Sequence, residues 1–433
     1  MKRAHFIGVG GIGVSAIARM MLAKNKSVTG SDMSRSEITE ELQKLGAKIY
    51  FGHDEKNLHK DVDLVVYSPA IREDNPELIK AKNLGIRTLS YPEMLGEISK
   101  DKYTIAVSGS HGKTTTTAMI GTMLRDLRLD PTIIVGSLLK GDPSTGSGRE
   151  SNFVAGKSNY FVVEACEYKK SFLNLHPKIA VVTNIDNDHL DYYGTVQNIQ
   201  KAFTEFVKKA GPDGFIVCNP NGKYLAPIVR STRCTVVDYT KMPRNLNLKL
   251  IGRHNQENAQ AALAVAKILG ANVKQAAKSL KEFGGTWRRF EYKGKTKSGA
   301  LVYDDYGHHP TEIRATLAAL RQAQGKRKVF CVFQPHLFSR TKLLMNDFAK
   351  SFGDADAVLV ADIYAAREKD DGTHSRDLVE KMQKFHKNAR YVSSFADARA
   401  ALILEAKKGD MIIAMGAGDV YKVTNDPQLT TDK

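Results

Sequence analysis

Gly109, Gly112, Lys113 and Thr114 stand within YTIAVSGSHGKTTTT, residues 103–117. Their types and spacing suit the binding of a nucleoside triphosphate. Glycines at 109 and 112 let backbone N–H groups turn toward one centre. A helix opening at Lys113 adds partial positive charge at its N-terminus, and the Lys113 ammonium adds a full charge. The Thr114 hydroxyl can ligate a Mg2+ that rides on the phosphates. The spacing departs from the usual G-x-x-x-x-G-K-[ST], because Val107 stands five residues before Gly112.

Other residues gather where a parallel sheet binds its ligands, at strand C-termini. Glu164 follows an apolar run, Tyr160 to Val163, and is placed to hold Mg2+. The run Lys178 to Val182 leads into TNIDNDHLD, which carries Asn184, Asp186, Asp188, His189 and Asp191. That loop reads as a metal or phosphate site, with His189 a ligand rather than a structural hydrogen-bonding histidine. Near the N-terminus, Ala4 to Ile7 feed Gly8-Val9-Gly10-Gly11-Ile12-Gly13, a full G-x-G-x-x-G, and Asp32 ends the next strand. This is the dinucleotide-binding pattern, with a phosphate-binding turn whose ligand stays open. Ser68-Pro69-Ala70-Ile71 stands at a further strand end. Asn255 and Asn258 open an Ala-rich helix and suit a cap better than a contact to a base edge. Arg288 and Arg289 follow Gly284-Gly285, a hinge-like stretch; they suit either a surface ion pair or reach toward phosphate. Three strand ends of the last segment, Asp304 to Glu312, Phe333 to Thr341 and Ala361 to Glu368, are dense in His, Tyr and Arg340. Together they suit a small anionic or zwitterionic ligand.

The elements that position these groups read as α/β units in series. Short apolar runs alternate with helical segments over 433 residues, enough for several domains. The expected fold is three α/β domains: a Rossmann-like domain over 1–98, a central P-loop domain with a mostly parallel sheet over 99–285, and a C-terminal Rossmann-like domain over 286–433. Composition is globular, 42% hydrophobic, with a net charge of +17. The basic residues are scattered. They read as a solvated surface that also attracts polyphosphates, not as a nucleic-acid site. The 4 cysteines have no C-x-x-C spacing, so neither zinc nor a disulfide framework is expected. The N-terminal stretch reads as strand and loop, not as a signal peptide, and no run is apolar enough for membrane insertion.

These motifs in combination resemble the Mur ligase family, the ATP-dependent amino-acid-adding enzymes of peptidoglycan synthesis. The resemblance runs from His5 to Tyr421 through GVGGIG, SGSHGKTTTT, EACEY, TNIDNDHLD, GRHNQEN, GTWRRFE, DDYGHHPTEI, FQPHLFSRT and MGAGDVY. It implies a cytoplasmic enzyme, monomer or weak homodimer. It also implies the ATP-driven joining of L-alanine to the lactyl carboxylate of UDP-N-acetylmuramate through an acyl phosphate. By resemblance, ATP is bound by Gly109, Ser110, His111, Gly112, Lys113, Thr114, Thr115, Asn255, Asn258, Arg288, Arg289 and Asp305. The UDP-sugar falls to Gly10, Gly11, Ile12, Gly13, Ser15, Asp32, Ser68, Ala70 and Ile71. Tyr306, His308, His336 and Arg340 form the amino-acid pocket. Thr114, Glu164 and His189 hold two Mg2+ ions, and Lys113, Glu164, His189 and Arg340 carry the chemistry. Leu337 stands where many members have a second arginine, so carboxylate capture falls to Arg340 alone. The stretch from Cys218 to Gly252 is short for the family. The rival readings are a sibling ligase that adds a recycled tripeptide to the same sugar nucleotide, a folylpolyglutamate synthase, a nicotinamide-dependent oxidoreductase, and a nucleotide-gated nucleic-acid binder.

Overall fold

The structure is a computed structural model that describes residues 2–139, 151–324, 327–366 and 368–431. Its first sheet holds β1 (Arg3–Ile7), β2 (Ser27–Asp32), β3 (Lys48–Phe51), β4 (Leu64–Tyr67) and β5 (Arg87–Ser90), all parallel, in the order β3-β2-β1-β4-β5. The order reverses between β1 and β4. The glycine loop after β1 and Ser68–Ile71 after β4 therefore lie side by side, and Ser68 donates its backbone N–H to the Ile7 carbonyl at 3.0 Å.

The second sheet holds β6 (Tyr103–Ser108), β7 (Thr132–Leu139), β8 (Ser151–Val154), β9 (Tyr160–Glu164), β10 (Ile179–Val182), β11 (Phe215–Cys218) and β12 (Thr235–Asp238). The order is β12-β11-β10-β6-β9-β7-β8, and β8 alone runs antiparallel to its neighbour. Because β6 lies between β10 and β9, the loop Ser108–Gly112, the residues after Val182 and the carboxylate of Glu164 emerge at one edge. The β7–β8 pairing was not read from the sequence.

The third sheet holds β13 (Glu291–Lys295), β14 (Leu301–Asp305), β15 (Val329–Phe333), β16 (Ala357–Val360), β17 (Ala389–Tyr391) and β18 (Met411–Met415). Its order is β13-β14-β18-β15-β16-β17, with β13 antiparallel at one end. The ends of β14, β18 and β15 thus carry Asp305, Gly416 and Gln334 side by side.

By packing, the chain divides into Met1–Leu246 with Glu257–Phe283, and Asn247–Gln256 with Gly284–Lys433. The first two sheets share one hydrophobic core, because the helix Ile12–Ala23 packs on β7 and β8. Helix Val196–Lys208 shows how local pattern builds that core. Ile199, Ala202, Phe203, Phe206 and Val207 recur at helical spacing and are buried, and the Thr195 side chain accepts the Asn198 N–H at the helix start. Phe172 stacks on Phe206 with ring centroids 4.7 Å apart and meets Phe203 edge-on. Truncating such a ring costs about 3–5 kcal/mol. Phe172 thereby fixes the segment Tyr168–Asn174, which follows Glu167 directly.

Candidate active site

The loop after β6 is shaped by close approaches that only glycine tolerates. Gly109 has φ 136°, and a Cβ there would stand 2.1 Å from Thr183 Oγ1. Gly112 has φ 81°, and its Cβ would stand 2.6 Å from Asn258 Oδ1. Asn184 staples the loop from the next strand end: its carbonyl accepts the Ser110 N–H at 3.1 Å and its Oδ1 accepts the His111 N–H at 2.9 Å. His111 Nε2 also meets Asp186 at 3.1 Å. By position, the amides left for an anion are those of the first turn of helix Lys113–Asp126, which includes the buried Thr114 and Thr115. Gly109→Ala is expected to lower the melting temperature by several degrees and to weaken nucleotide binding at least about tenfold, since overpacking costs about 1–3 kcal/mol. Thermal unfolding and a nucleotide titration check this.

Charged groups converge beside this loop. Lys113 Nζ donates to Gly109 O at 2.6 Å, to Ser110 O at 3.1 Å and to Glu167 Oε1 at 2.9 Å. Burial works against the Lys113 charge, but Glu167 outweighs it and holds the ammonium above the usual lysine range. Thr114 Oγ1 donates to Glu164 Oε1 at 3.0 Å, and Glu164 Oε2 accepts the Gly136 N–H at 2.8 Å. His189 Nε2 lies 3.7 Å from both Glu167 Oε1 and Asp188 Oδ2. The ligand atoms of Glu167, Asp188 and His189 all lie within 4.8 Å of one another. Thr114 and Glu164 thus form one oxygen-rich pair, and His189 stands with Glu167 and Asp188. Carboxylates with a hydroxyl suit a hard cation such as Mg2+, and a buried Glu167 oxygen that lacks a hydrogen-bond partner fits that donor set. Glu167 was not among the metal-binding residues expected from the sequence. The Asp191 side chain and Arg367 lie outside the described residues.

The glycine loop of the first sheet opens on the same cleft. A cavity of ≈ 280 Å³ is lined by Gly11, Ile12, Ser68, Tyr91, Glu164 and Cys166, among others. Gly10 donates its N–H to Asp32 Oδ2 at 2.8 Å, so Asp32 holds the turn. Gly13 is forced by Tyr91, whose ring would lie 2.7 Å from a Cβ. Ser68 and Ile71 pack beside Gly8, within 3.1 and 3.4 Å of where its Cβ would be. Ala70 N–H donates to Ser68 Oγ at 3.3 Å. Ser15 is 0% exposed. It donates to Ile12 O at 3.0 Å and accepts from Asn152 at 2.8 Å, so it braces the loop from behind rather than facing the cleft.

Within the Asn247–Gln256 and Gly284–Lys433 unit, the two arginines part company. Arg288 is 3% exposed. It donates to Asp304 Oδ2 at 3.2 Å, to Gly418 O at 2.9 Å and to Gly416 O at 2.5 Å. Its guanidinium ties the loop after β18 to β14 and is not presented to a phosphate. Arg289 lies over the Tyr306 ring at 4.8 Å. Beyond Gly284-Gly285 the segment is tied down: Thr286 and Arg289 form a β-bridge, and Tyr306 N–H donates to Arg288 O at 2.7 Å. Asn255 is not a cap. It lies inside helix Arg253–Ile268 and donates from Nδ2 to Ile251 O at 2.7 Å. Asn258 is likewise within the helix rather than at its start, in the other unit, with its amide against Gly112.

Tyr306, His308, His336 and Arg340 do come together. Ring centroids of Tyr306 and His308 are 5.4 Å apart, those of His308 and His336 5.8 Å apart, and Arg340 NH1 meets His336 Nδ1 at 3.1 Å. His336 stacks on Tyr364, at 5.7 Å, which the sequence reading did not assign. Leu337, buried, holds φ 72° and ψ 135°, a conformation that costs a non-glycine residue about 1–3 kcal/mol.

Asp305 accepts the N–H groups of Phe290 and Gly307, each at 2.8 Å. Burial raises its carboxyl to about 6, against the opposing pull of Arg289. A raised carboxyl pKa means that the folded state binds the extra proton, so this group's contribution to stability is lost as pH rises from about 4 to about 6. The melting temperature of the wild type minus that of Asp305→Asn is therefore expected to fall across that window.

Comparison with known proteins follows the same segments. Residues 3–103 match the Mur ligase family, catalytic domain; residues 107–246 match the Mur ligase middle domain; residues 288–418 match the Mur ligase, glutamate ligase domain. A UDP-N-acetylmuramate–L-alanine ligase of Acetivibrio thermocellus is 43% identical over 453 positions, covering 98% of this chain and 94% of that protein. Its counterpart in Clostridium novyi is 44% identical over 98% of this chain and 96% of that protein. The crystal structure of UDP-N-acetylmuramate-alanine ligase from Thermotoga maritima superposes with a TM-score of 0.80 at 27% identity, over 98% of this chain and 97% of that one.

Proposed function

The chain belongs to the Mur ligase family, and from that premise we propose that it joins L-alanine to the lactyl carboxylate of UDP-N-acetylmuramate while ATP is split to ADP and phosphate. The observation that carries this reading is the single cleft onto which the glycine loop of the first sheet and the Glu164 carboxylate both open. A sugar nucleotide on the glycine loop would present its carboxylate to the phosphate site. The full-length relatives that carry this activity in their names support the same substrates. They do not favour the tripeptide-adding sibling.

The reaction divides into two displacements. A carboxylate is a poor acylating agent because its leaving group would be oxide. A lactyl carboxylate oxygen therefore attacks the γ-phosphorus, the bond to ADP breaks, and an acyl phosphate forms. The alanine amine then attacks the acyl carbon, and phosphate leaves with that carboxylate oxygen. Lys113 and the first-turn amides of its helix neutralise charge on the β- and γ-phosphates. Thr114, Glu164 and His189 are the residues that would hold Mg2+, as two ions. Bound Mg2+ supplies charge neutralisation at the phosphate oxygens. Asn255 and Asn258 are assigned to the adenine side, Asp305 to a nucleotide contact and Arg289 to the γ-phosphate; Arg288 instead holds the fold. Gly10, Gly11, Ile12, Gly13, Ser68, Ala70 and Ile71 face the sugar nucleotide, with Asp32 and Ser15 supporting them. Tyr306, His308, His336 and Arg340 receive alanine, whose carboxylate pairs with Arg340.

The functional domains are taken as 1–98, 99–285 and 286–433, in a cytoplasmic monomer or weak homodimer without nucleic acid. Among the described residues, no helix is long and apolar enough to cross a membrane. The test is phosphate release from Mg-ATP by the purified protein. Release is expected only when UDP-N-acetylmuramate and L-alanine are supplied together. A strong preference for the tripeptide over alanine would move the protein to the sibling activity.

A further inference from the structure

We propose that Glu167 is a positioning residue that exchanges Lys113 for a divalent cation, so that arrival of polyphosphate completes a cation site formed with Asp188 and His189. This rests on reading the Gly109–Thr114 loop as a triphosphate site.

Glu167 is 2% exposed. Its Oε1 takes Lys113 Nζ at 2.9 Å and lies 3.7 Å from His189 Nε2, while its Oε2 is buried with no hydrogen-bond partner. A buried carboxylate oxygen left unpaired is costly, and a cation would satisfy it. Asp188 and His189 bring two more ligand atoms within 4.8 Å. The Lys113 ammonium has three N–H donors, and they serve Gly109 O, Ser110 O and Glu167. A phosphate that engages Lys113 must take at least one of these bonds. Glu167 is the partner whose negative charge opposes the incoming anion, so it is the partner that must be released or neutralised. Once released, it faces Asp188 and His189 with one vacant oxygen already in place.

The backbone holds Glu167 there at a cost. Lys169 and Lys170 follow it with φ 51° and 57°, and His189 itself has φ 54°. None is glycine, and left-handed backbone of this kind persists where the surroundings enforce it. Here the Glu167 carbonyl is fixed by Tyr193 Oη at 2.5 Å and by the Lys170 N–H at 2.9 Å. The backbone at Glu167 is thereby anchored, and its carboxylate stays buried against Lys113. Sharing one carboxylate between an ammonium and a cation couples the two ligands: the nucleotide raises cation affinity and the cation raises nucleotide affinity by the same factor.

The test uses the full-length protein, Mn2+ as the probe and no nucleotide or substrate, so its failure is separate from any failure of the ligase reading. Free Mn2+ is followed by electron paramagnetic resonance. Lys113→Met should bind Mn2+ at least about tenfold more tightly than wild type, because Glu167 is then unclaimed. In Glu167→Gln and in the Lys113→Met/Glu167→Gln double variant that gain should vanish, a coupling read by double-mutant cycle. If the Glu167 variants do not fold, Lys113→Met/Asp188→Asn decides: it should bind Mn2+ at least about tenfold more weakly than Lys113→Met. An equal gain with and without Glu167 would mean a general field effect and would overturn the proposal. No gain in Lys113→Met would overturn it as well, leaving Glu167 as an anchor for Lys113 only.

Discussion

Lys113→Ala is expected to lower kcat for phosphate release by about 10³-fold or more. The lysine places a full positive charge among first-turn amides that are otherwise only partial donors, and removing such electrostatic stabilisation costs about 10²–10³ for a single neutral donor. Phosphoryl transfer asks for little else from the protein besides positioning and charge. The substitution also strands Glu167, whose side chain is 3% exposed. Removing one partner of a buried ion pair costs about 3–5 kcal/mol. The variant should therefore unfold at a clearly lower temperature, and Mn2+ should recover part of that loss if Glu167 accepts a cation. Steady-state phosphate release and thermal unfolding with and without Mn2+ measure both effects. A Lys113→Ala protein with near-normal turnover would remove the loop from the mechanism.

Arg340→Ala should act on the other substrate. The expected result is a rise of about 10²-fold or more in KM for L-alanine, with little change in the KM for ATP. Arg340 belongs to the Phe338–Leu343 helix and reaches back to His336. Leu337, three residues before Arg340, is buried with φ 72° and brings no charge. The Arg340 guanidinium offers the bidentate pairing that a carboxylate prefers, so Arg340→Lys should recover little of the loss. Initial rates over a range of alanine concentrations decide. An unchanged KM would place alanine elsewhere.

Much of this arrangement could be read before any coordinates. Strands such as Phe215–Cys218 and Met411–Met415 are short apolar runs buried on both faces, so composition and flanking turns mark them. Their ends carry the chemistry because parallel sheets place ligands there. The antiparallel edge strands β8 and β13 escaped, since their sequences, Ser151–Val154 and Glu291–Lys295, mix polar and small residues and gain their pairing from a neighbour. Adjacent arginines look alike in sequence. In the fold Arg288, at φ 56°, buries its guanidinium against Asp304, Gly416 and Gly418, and both guanidiniums lie over the Tyr306 ring. Glu167 escaped for a related reason. Its partner Lys113 is 54 residues away, and nothing in the spacing announces that the two meet. The available signal was a second acidic residue three positions after Glu164, which ends its strand. Asn255 and Asn258 were read as caps because asparagine favours helix starts, but the helix begins earlier, at Arg253.

The claim on which the rest depends is that the sugar nucleotide's carboxylate attacks the γ-phosphorus. UDP-N-acetylmuramate carrying ¹⁸O in both lactyl carboxylate oxygens, turned over with Mg-ATP and L-alanine, tests it by mass spectrometry of the released phosphate. The mechanism predicts one ¹⁸O in each phosphate and the other in the new amide. Phosphate released without label would contradict it.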